Sequence, residues 1–136
     1  MARAGSVLAL MMILVAGGCS QSNTVAVTGT VTLNGKPADQ AEVQFTPKEG
    51  RMASGVTDSE GKFSLSTFSP GDGAVPGDHK VTIVQYYAPG QPPPMTPGPL
   101  PSRFPAKYSD PAQTPFSAKV ERGKKNEFRF DMEGQE

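Results

Sequence analysis

Short stretches of alternating apolar and polar residues, separated by residues that favour turns, constrain the fold of this chain most. Early in the chain Val25, Val27, Val31 and Leu33 share one face with Gly29, and threonines occupy most of the other face. Successive side chains of a β-strand point to opposite faces, so this pattern predicts a half-buried strand. Fourteen prolines, fifteen glycines and no tryptophan agree with many short elements joined by turns.

Six further stretches have similar alternation or are bounded by turn signals. Asn34-Gly35 suits a type I′ hairpin turn, which needs positive φ at both corners, and residues 58–61 have the composition of a tight turn. The corner at 122–124 predicts a hairpin between the last two strands. The predicted strands are residues 24–33, 41–47, 52–58, 62–67, 78–87, 115–123 and 125–132. They predict an all-β fold, a seven-stranded antiparallel β-sandwich.

Residues 88–115 interrupt the strand pattern. Seven of the thirteen residues in 89–101 are proline, which fixes φ and offers no backbone donor, so this part is predicted to be extended and polyproline-like. A loop of this length is longer than packing in a small domain requires, which leaves function or disorder as explanations.

Aromatic residues flank this proline-rich loop. Tyr86 and Tyr87 precede it, and Arg103, Phe104 and Tyr108 follow it. Exposed aromatics beside polyproline chain could form an edge that docks a protein or a glycan, since such chain is already low in entropy. In the alternative interpretation Tyr86, Phe104 and Tyr108 hold a long crossover on the sandwich.

The first 18 residues differ from the remainder. Arg3 is followed by an uncharged apolar run over 7–16, which has the length of a signal-peptide core, whereas a membrane-spanning helix needs about 20 residues. The next residues, Val15-Ala16-Gly17-Gly18-Cys19, resemble a bacterial lipobox. The resemblance implies cleavage between Gly18 and Cys19 and a lipid-modified Cys19, anchored stably because several acyl chains are attached. The alternative is an ordinary secretory signal that leaves Cys19 as a free thiol.

A second resemblance covers nearly all of residues 25–132. The matching segments are Val27 to Val31, Asn34 to Pro37, Ala41 to Val43, Thr57 to Phe63 and Pro76 to Val81. They are similar to the carboxypeptidase regulatory-like domains, a transthyretin-like group of seven-stranded sandwiches, and in layout to small bacterial envelope lipoproteins built on this domain. The resemblance implies a binding or scaffold protein without catalysis, and it transfers no catalytic or binding residues.

Other classes of site have little support. Thirteen basic and thirteen acidic side chains balance, so no net charge favours nucleic acid. His79, the only histidine, alternates with apolar residues, which favours a packed side chain over a general base. Asp58 with Glu60, or Asp72 with Asp78, could supply oxygen ligands to Ca²⁺, but neither pair has EF-hand spacing. We predict no catalytic residue, no cofactor and no metal site.

These patterns divide the chain into a signal peptide (1–18), a lipidated cysteine with a short tether (19–23), a β-sandwich domain (24–133) and a tail (134–136). The predicted function is a non-enzymatic lipoprotein that Cys19 anchors to a bacterial envelope membrane, with a binding or structural role towards envelope protein or glycan partners. The alternative is a small exported hydrolase or Ca²⁺-dependent binding protein that uses His79 and loop carboxylates.

Overall fold

A computed structural model describes residues 23–91, 95, 97 and 103–134. The predicted signal peptide and Cys19 lie outside the described residues, as does most of the segment 92–102. A short 3-10 helix covers Ala106–Tyr108. The described residues form eight strands: β1 (Val27–Leu33), β2 (Lys36–Pro37), β3 (Ala41–Pro47), β4 (Ala53–Val56), β5 (Lys62–Ser64), β6 (Gly77–Gln85), β7 (Ser117–Val120) and β8 (Asn126–Met132).

The strands form two four-stranded sheets. In the first sheet β8 pairs in parallel with the whole of β1, and β2 and β5 pair antiparallel with different parts of β1. The second sheet is antiparallel, in the order β4-β3-β6-β7. An antiparallel bridge between Ser54 and Ser66 links the two sheets along one edge. The prediction of an all-β fold is therefore confirmed.

The core lies between the two sheets. Phe45 of the second sheet is completely buried, and its ring centroid lies 6.5 Å from that of Phe63, 5.7 Å from that of Phe128 and 6.0 Å from that of Phe130, all in the first sheet. Aromatic pairs at these separations add stability beyond the apolar area that they bury. The inward residues of the alternating stretches thus meet in one core.

Two details of the predicted arrangement are wrong. The described residues contain eight strands rather than seven, because Lys36–Pro37 pairs with the end of β1 directly after the turn. The first sheet is mixed rather than antiparallel, because β8 runs parallel to β1. The Asn34-Gly35 turn itself is confirmed, with φ values of 52° and 81°.

The predicted hairpin between the last two strands is also wrong. β7 pairs with β6 in the second sheet and β8 pairs with β1 in the first, so residues 121–125 cross between the sheets. The buried Asn126 holds this crossing: its Oδ1 accepts from the Glu121 N–H at 3.0 Å, and its Nδ2 donates to the Glu121 and Lys124 carbonyls. Side-chain hydrogen bonds therefore replace the ladder that a hairpin would have formed.

The pairing places the connections at two opposite ends of the sandwich. The first described residues, 23–26, and the connections at residues 48–52, 66–76 and 121–125 lie at one end, which we call the N-terminal end. The connections at 34–40 and 57–61, the beginning of the long 86–116 connection and the last described residues, 133–134, lie at the other, which we call the proline-rich end. No strand interrupts the described part of 86–116, as the sequence predicts.

Thr57 provides a test of how the proline-rich end is held together. Its buried hydroxyl donates to the Ala38 carbonyl at 2.6 Å and accepts from the Ala41 N–H at 2.9 Å. Thr57→Val should lower the free energy of unfolding by about 1 to 3 kcal/mol, because two buried backbone groups lose this partner. Urea denaturation measures the loss. Thr57→Ser keeps the hydroxyl and serves as the control, and an equal loss in both variants would contradict this role.

Candidate functional site

The aromatic residues predicted to form a docking edge are not equally exposed. Phe104 and Tyr108 are buried, with 5% and 2% of their surface exposed, whereas Tyr86 and Tyr87 are half-buried. The prediction that Phe104 and Tyr108 present exposed rings to a partner is therefore wrong. Their burial agrees with the alternative in which they hold the crossover on the sandwich.

Tyr108 joins the returning crossover to the residues that follow β8. Its ring stacks on that of Phe116 with centroids 5.2 Å apart, and its hydroxyl accepts from the Glu133 N–H at 2.8 Å. The Lys107 Nζ lies 4.9 Å from the centroid of the Tyr108 ring, close enough for a cation–π interaction. This residue therefore packs with its ring and fixes the last described residues with its hydroxyl.

Arg103 lies on the surface where the described chain resumes after the proline-rich segment. Its guanidinium donates to the Asp39 carbonyl oxygen and, through Nε, to Oε1 of Gln85 at 3.3 Å. The Tyr86 N–H donates to the Gln40 carbonyl. The described residues on the two sides of the proline-rich segment thus bind neighbouring carbonyl groups of Asp39 and Gln40, and Arg103 has a positioning role there.

An open cleft of about 430 Å³ lies beside Arg103. Its walls combine apolar groups from Leu33, Pro37, Ala38 and Phe104 with the cationic side chains of Lys36 and Arg103. Lys36 makes no salt bridge to any described residue. A positive charge beside an apolar wall suits a ligand that has an anionic group and an apolar body.

His79 is packed in the core, as its alternation predicts. Only 2% of its surface is exposed, its Nε2 lies 2.7 Å from the Val75 carbonyl oxygen, and its ring centroid lies 5.6 Å from that of Phe45. Nδ1 is buried and has no hydrogen-bond partner among the described residues. Since Nε2 is already engaged and the ring is inaccessible, His79 is not positioned to act on a substrate.

The candidate Ca²⁺ ligands do not converge. Asp58 accepts the Glu60 and Lys62 N–H groups within its own turn, and the Glu60 carboxylate pairs with the Lys62 ammonium at 3.3 Å. Asp78 lines a second cleft with Lys48 and Glu49, and Asp72 does not line it. No group of three or more histidine, cysteine, aspartate or glutamate residues in the described chain could hold a metal ion.

Asp72 instead organises the loop at the N-terminal end. Its carboxylate accepts three backbone N–H groups, from Thr67 at 2.7 Å, Phe68 at 3.0 Å and Ser69 at 3.1 Å. These hydrogen bonds, that from Thr67 above all, hold the pKa of Asp72 below its ordinary value of 3.8. The Gly71 N–H also donates to the Ser66 hydroxyl. The loop 66–73 therefore has a defined conformation, although much of it is exposed.

Two other carboxyl groups have lowered pKa values. The Lys124 ammonium lies 3.0 Å from Glu121 and lowers its pKa. The Thr32 hydroxyl donates to Asp131 and, together with Arg129, lowers the pKa of Asp131. The Asp131 side chain is exposed and that of Glu121 is half-buried at the surface, where ion pairs contribute little to stability. These charges form a solvated surface rather than a reactive cluster.

Comparison with protein-family models, with curated proteins and with solved structures found no match to this chain. In the part of the chain that the structure describes, no helix has the length and apolar character needed to cross a membrane.

The residues that form the rest of the cleft wall are not among the predicted site residues. Lys36 and Pro37 follow the Asn34-Gly35 turn and form β2, beside the end of β1. The sequence feature that indicates this position is a lysine immediately after an Asn-Gly turn. Because the loop has only two residues, the lysine falls in the returning strand. Nothing in the local pattern indicates that Arg103, 67 residues later, lines the same cleft.

The lowered pKa of Asp72 predicts that the stability of the fold depends on pH. A carboxyl group whose pKa is lower in the folded than in the unfolded chain stabilises the fold above its unfolded pKa, and this contribution is lost as the pH falls through its folded pKa. Between about pH 7 and about pH 3 the native protein should therefore lose more unfolding free energy than Asp72→Asn does. Urea denaturation at both pH values measures the difference.

The control for this test is Asp78→Asn. Asp78 is exposed, lies at the same end, and its carboxylate accepts no hydrogen bond from any described residue. Its replacement should leave the difference between the two pH values close to that of the native protein. Equal pH dependence of the native protein and of Asp72→Asn would contradict the role given to Asp72.

Proposed function

We propose that this protein is a non-enzymatic lipoprotein that Cys19 anchors to an envelope membrane and whose sandwich presents its proline-rich end to a protein or glycan partner. The proposal includes a transthyretin-like fold of the carboxypeptidase regulatory-like type, which the two packed sheets and the Asn34-Gly35 turn support.

The observation that carries the proposal is the placement of the first described residues and the beginning of the proline-rich connection at opposite ends of the sandwich. Asn23 accepts a hydrogen bond from the guanidinium of Arg122, and Val25 pairs with Ala74, so residues 23–25 are fixed at the N-terminal end. Cys19 lies four residues before Asn23, and four extended residues span at most about 14 Å. An anchored domain would therefore direct its proline-rich end away from the membrane.

The partner surface is proposed to consist of the cleft beside Arg103 and the half-buried Tyr86 and Tyr87. These groups lie where the proline-rich segment leaves and rejoins the sandwich. Phe104 and Tyr108 contribute by packing the chain that follows this segment onto the sandwich rather than by touching the partner. A contact surface on a fixed part of the fold lowers the entropy that binding would cost.

The second candidate, an exported hydrolase or Ca²⁺-binding protein, has weaker support. It requires an accessible His79 or converging carboxylates, whereas His79 is packed against Phe45 and Asp58 and Asp72 each bind backbone N–H groups of their own loops. Substitution of His79 and titration with Ca²⁺ against thermal stability test it. Loss of a hydrolytic activity on substitution of His79, or a rise in Tm on addition of Ca²⁺, would support this candidate.

Cys19→Ala tests the anchor. The native protein should separate into the membrane fraction and the detergent phase, whereas Cys19→Ala should lose this retention because no acyl chain can be attached. Ser20→Ala changes the neighbouring residue without removing the attachment point and should behave like the native protein. Membrane retention that is unchanged in Cys19→Ala would contradict lipid anchoring.

Deletion of residues 89–101 tests the partner surface. Crosslinking in the native envelope should join the full protein to a partner, and the deletion should lose that product, because the extended segment is proposed to form part of the contact. Lys36→Glu provides a matched variant that leaves the segment intact and reverses one charge of the cleft. Identical crosslinks in the native protein and both variants would contradict a partner site at this end.

A further inference from the structure

Two large apolar side chains lie on the surface of the N-terminal end. Phe68 has 57% of its surface exposed and Met52 has 45%. The antiparallel bridge between Ser54 and Ser66 brings the segments that carry them together, and the guanidinium carbon of Arg51 lies 5.5 Å from the centroid of the Phe68 ring. We call Arg51, Met52 and Phe68 the apolar tip.

The apolar tip is held in place rather than loosely displayed. Asp72 accepts the N–H of Phe68 and of both its neighbours, and the Thr67 hydroxyl donates to the Gly73 carbonyl at 2.7 Å. A large exposed ring on an organised loop keeps its apolar surface in water at a constant free-energy cost, which burial against an apolar phase would relieve.

Basic side chains outnumber acidic ones at the N-terminal end. The connections there carry five basic and three acidic side chains, Lys48, Arg51, Arg122, Lys124 and Lys125 against Glu49, Asp72 and Glu121, and Asp78 at the start of β6 adds a fourth carboxylate. Two of the basic groups, Lys48 and Arg51, lie on the same connection as Met52. An anionic surface therefore attracts the end that carries the apolar tip.

We propose that the apolar tip inserts into the interface of an anionic phospholipid membrane, the membrane that holds Cys19, so that the domain is docked in one orientation. This inference rests on the proposed lipid anchor, because the four residues from Ser20 to Asn23 keep the N-terminal end within about 14 Å of the bilayer. An aromatic ring and a methionine enter the boundary between headgroups and acyl chains, while Arg51 and the neighbouring lysines contact anionic headgroups.

A fluorescent reporter tests the orientation directly. The chain contains no tryptophan, so Phe68→Trp gives a single indole at the tip. Val56→Trp is the matched control, because Val56 is 40% exposed and lies at the far end of β4, towards the proline-rich end. Each purified lipidated protein is reconstituted into vesicles that contain phosphatidylglycerol and lipids with brominated acyl chains.

We expect emission from Phe68→Trp to shift to shorter wavelength and to be quenched by the bromine atoms, and emission from Val56→Trp to show neither effect. Replacing phosphatidylglycerol by phosphatidylcholine should reduce the quenching of Phe68→Trp. Equal quenching of the two variants, or no quenching of Phe68→Trp, would overturn the proposal. A blue shift that appears without lipid as the protein concentration rises would also overturn it, since a second copy would then cover the tip.

Flotation with the vesicles distinguishes a failure of tip insertion from a failure of the lipid anchor. A protein that floats without quenching of Phe68→Trp retains the anchor and refutes the docked tip. If the protein does not float, the proposed anchor is refuted. Insertion of the apolar tip is then tested with the chain that begins at Ser20, which keeps every described residue and the whole core. A phosphatidylglycerol-dependent blue shift of Phe68→Trp in that chain supports insertion, and its absence overturns it.

Discussion

The parallel pairing of β1 with β8 determines the layout of the rest of the structure. It extends over seven residues, from Val27 opposite Asn126 to Leu33 opposite Met132. Parallel neighbours must start at the same end of a sheet and cannot be joined by a tight turn. The chain therefore crosses from the second sheet to the first directly before β8, at the end where β1 begins. The long connection between β6 and β7 starts at the opposite end.

One residue without a side chain allows this pairing and the core packing to coexist. Gly29 lies on the inward face of β1 among valines, and a Cβ atom there would collide with the Phe63 ring and with the Phe128 carbonyl oxygen. Phe63 uses this space to stack on Phe130, with ring centroids 6.2 Å apart. The glycine that interrupts the apolar alternation of β1 is therefore a packing position rather than a weak point of the strand.

The alternation of apolar and polar residues predicted which face of each strand is buried, but it did not predict which strands are adjacent. The boundaries of β3 were predicted correctly, because its alternation is complete and Pro47 cannot continue a ladder, and the packed position of His79 followed from its place between apolar residues. The partner of β8 could not be predicted, since a period of two gives the buried face but not the adjacent strand. The burial of Phe104 and Tyr108 could not be predicted for the same reason, because residue type does not reveal which segment folds back over a sheet.

The burial of those two rings limits which groups the proline-rich end exposes. Because Phe104 and Tyr108 belong to the core, the groups that this end offers to the proposed partner are those of the cleft, with its Lys36 and Arg103 charges. The exposed aromatic of the described chain with the largest free surface, Phe68, lies at the other end, beside the guanidinium of Arg51. The two ends therefore expose different kinds of side chain: a cationic cleft at one end and a large apolar ring at the other.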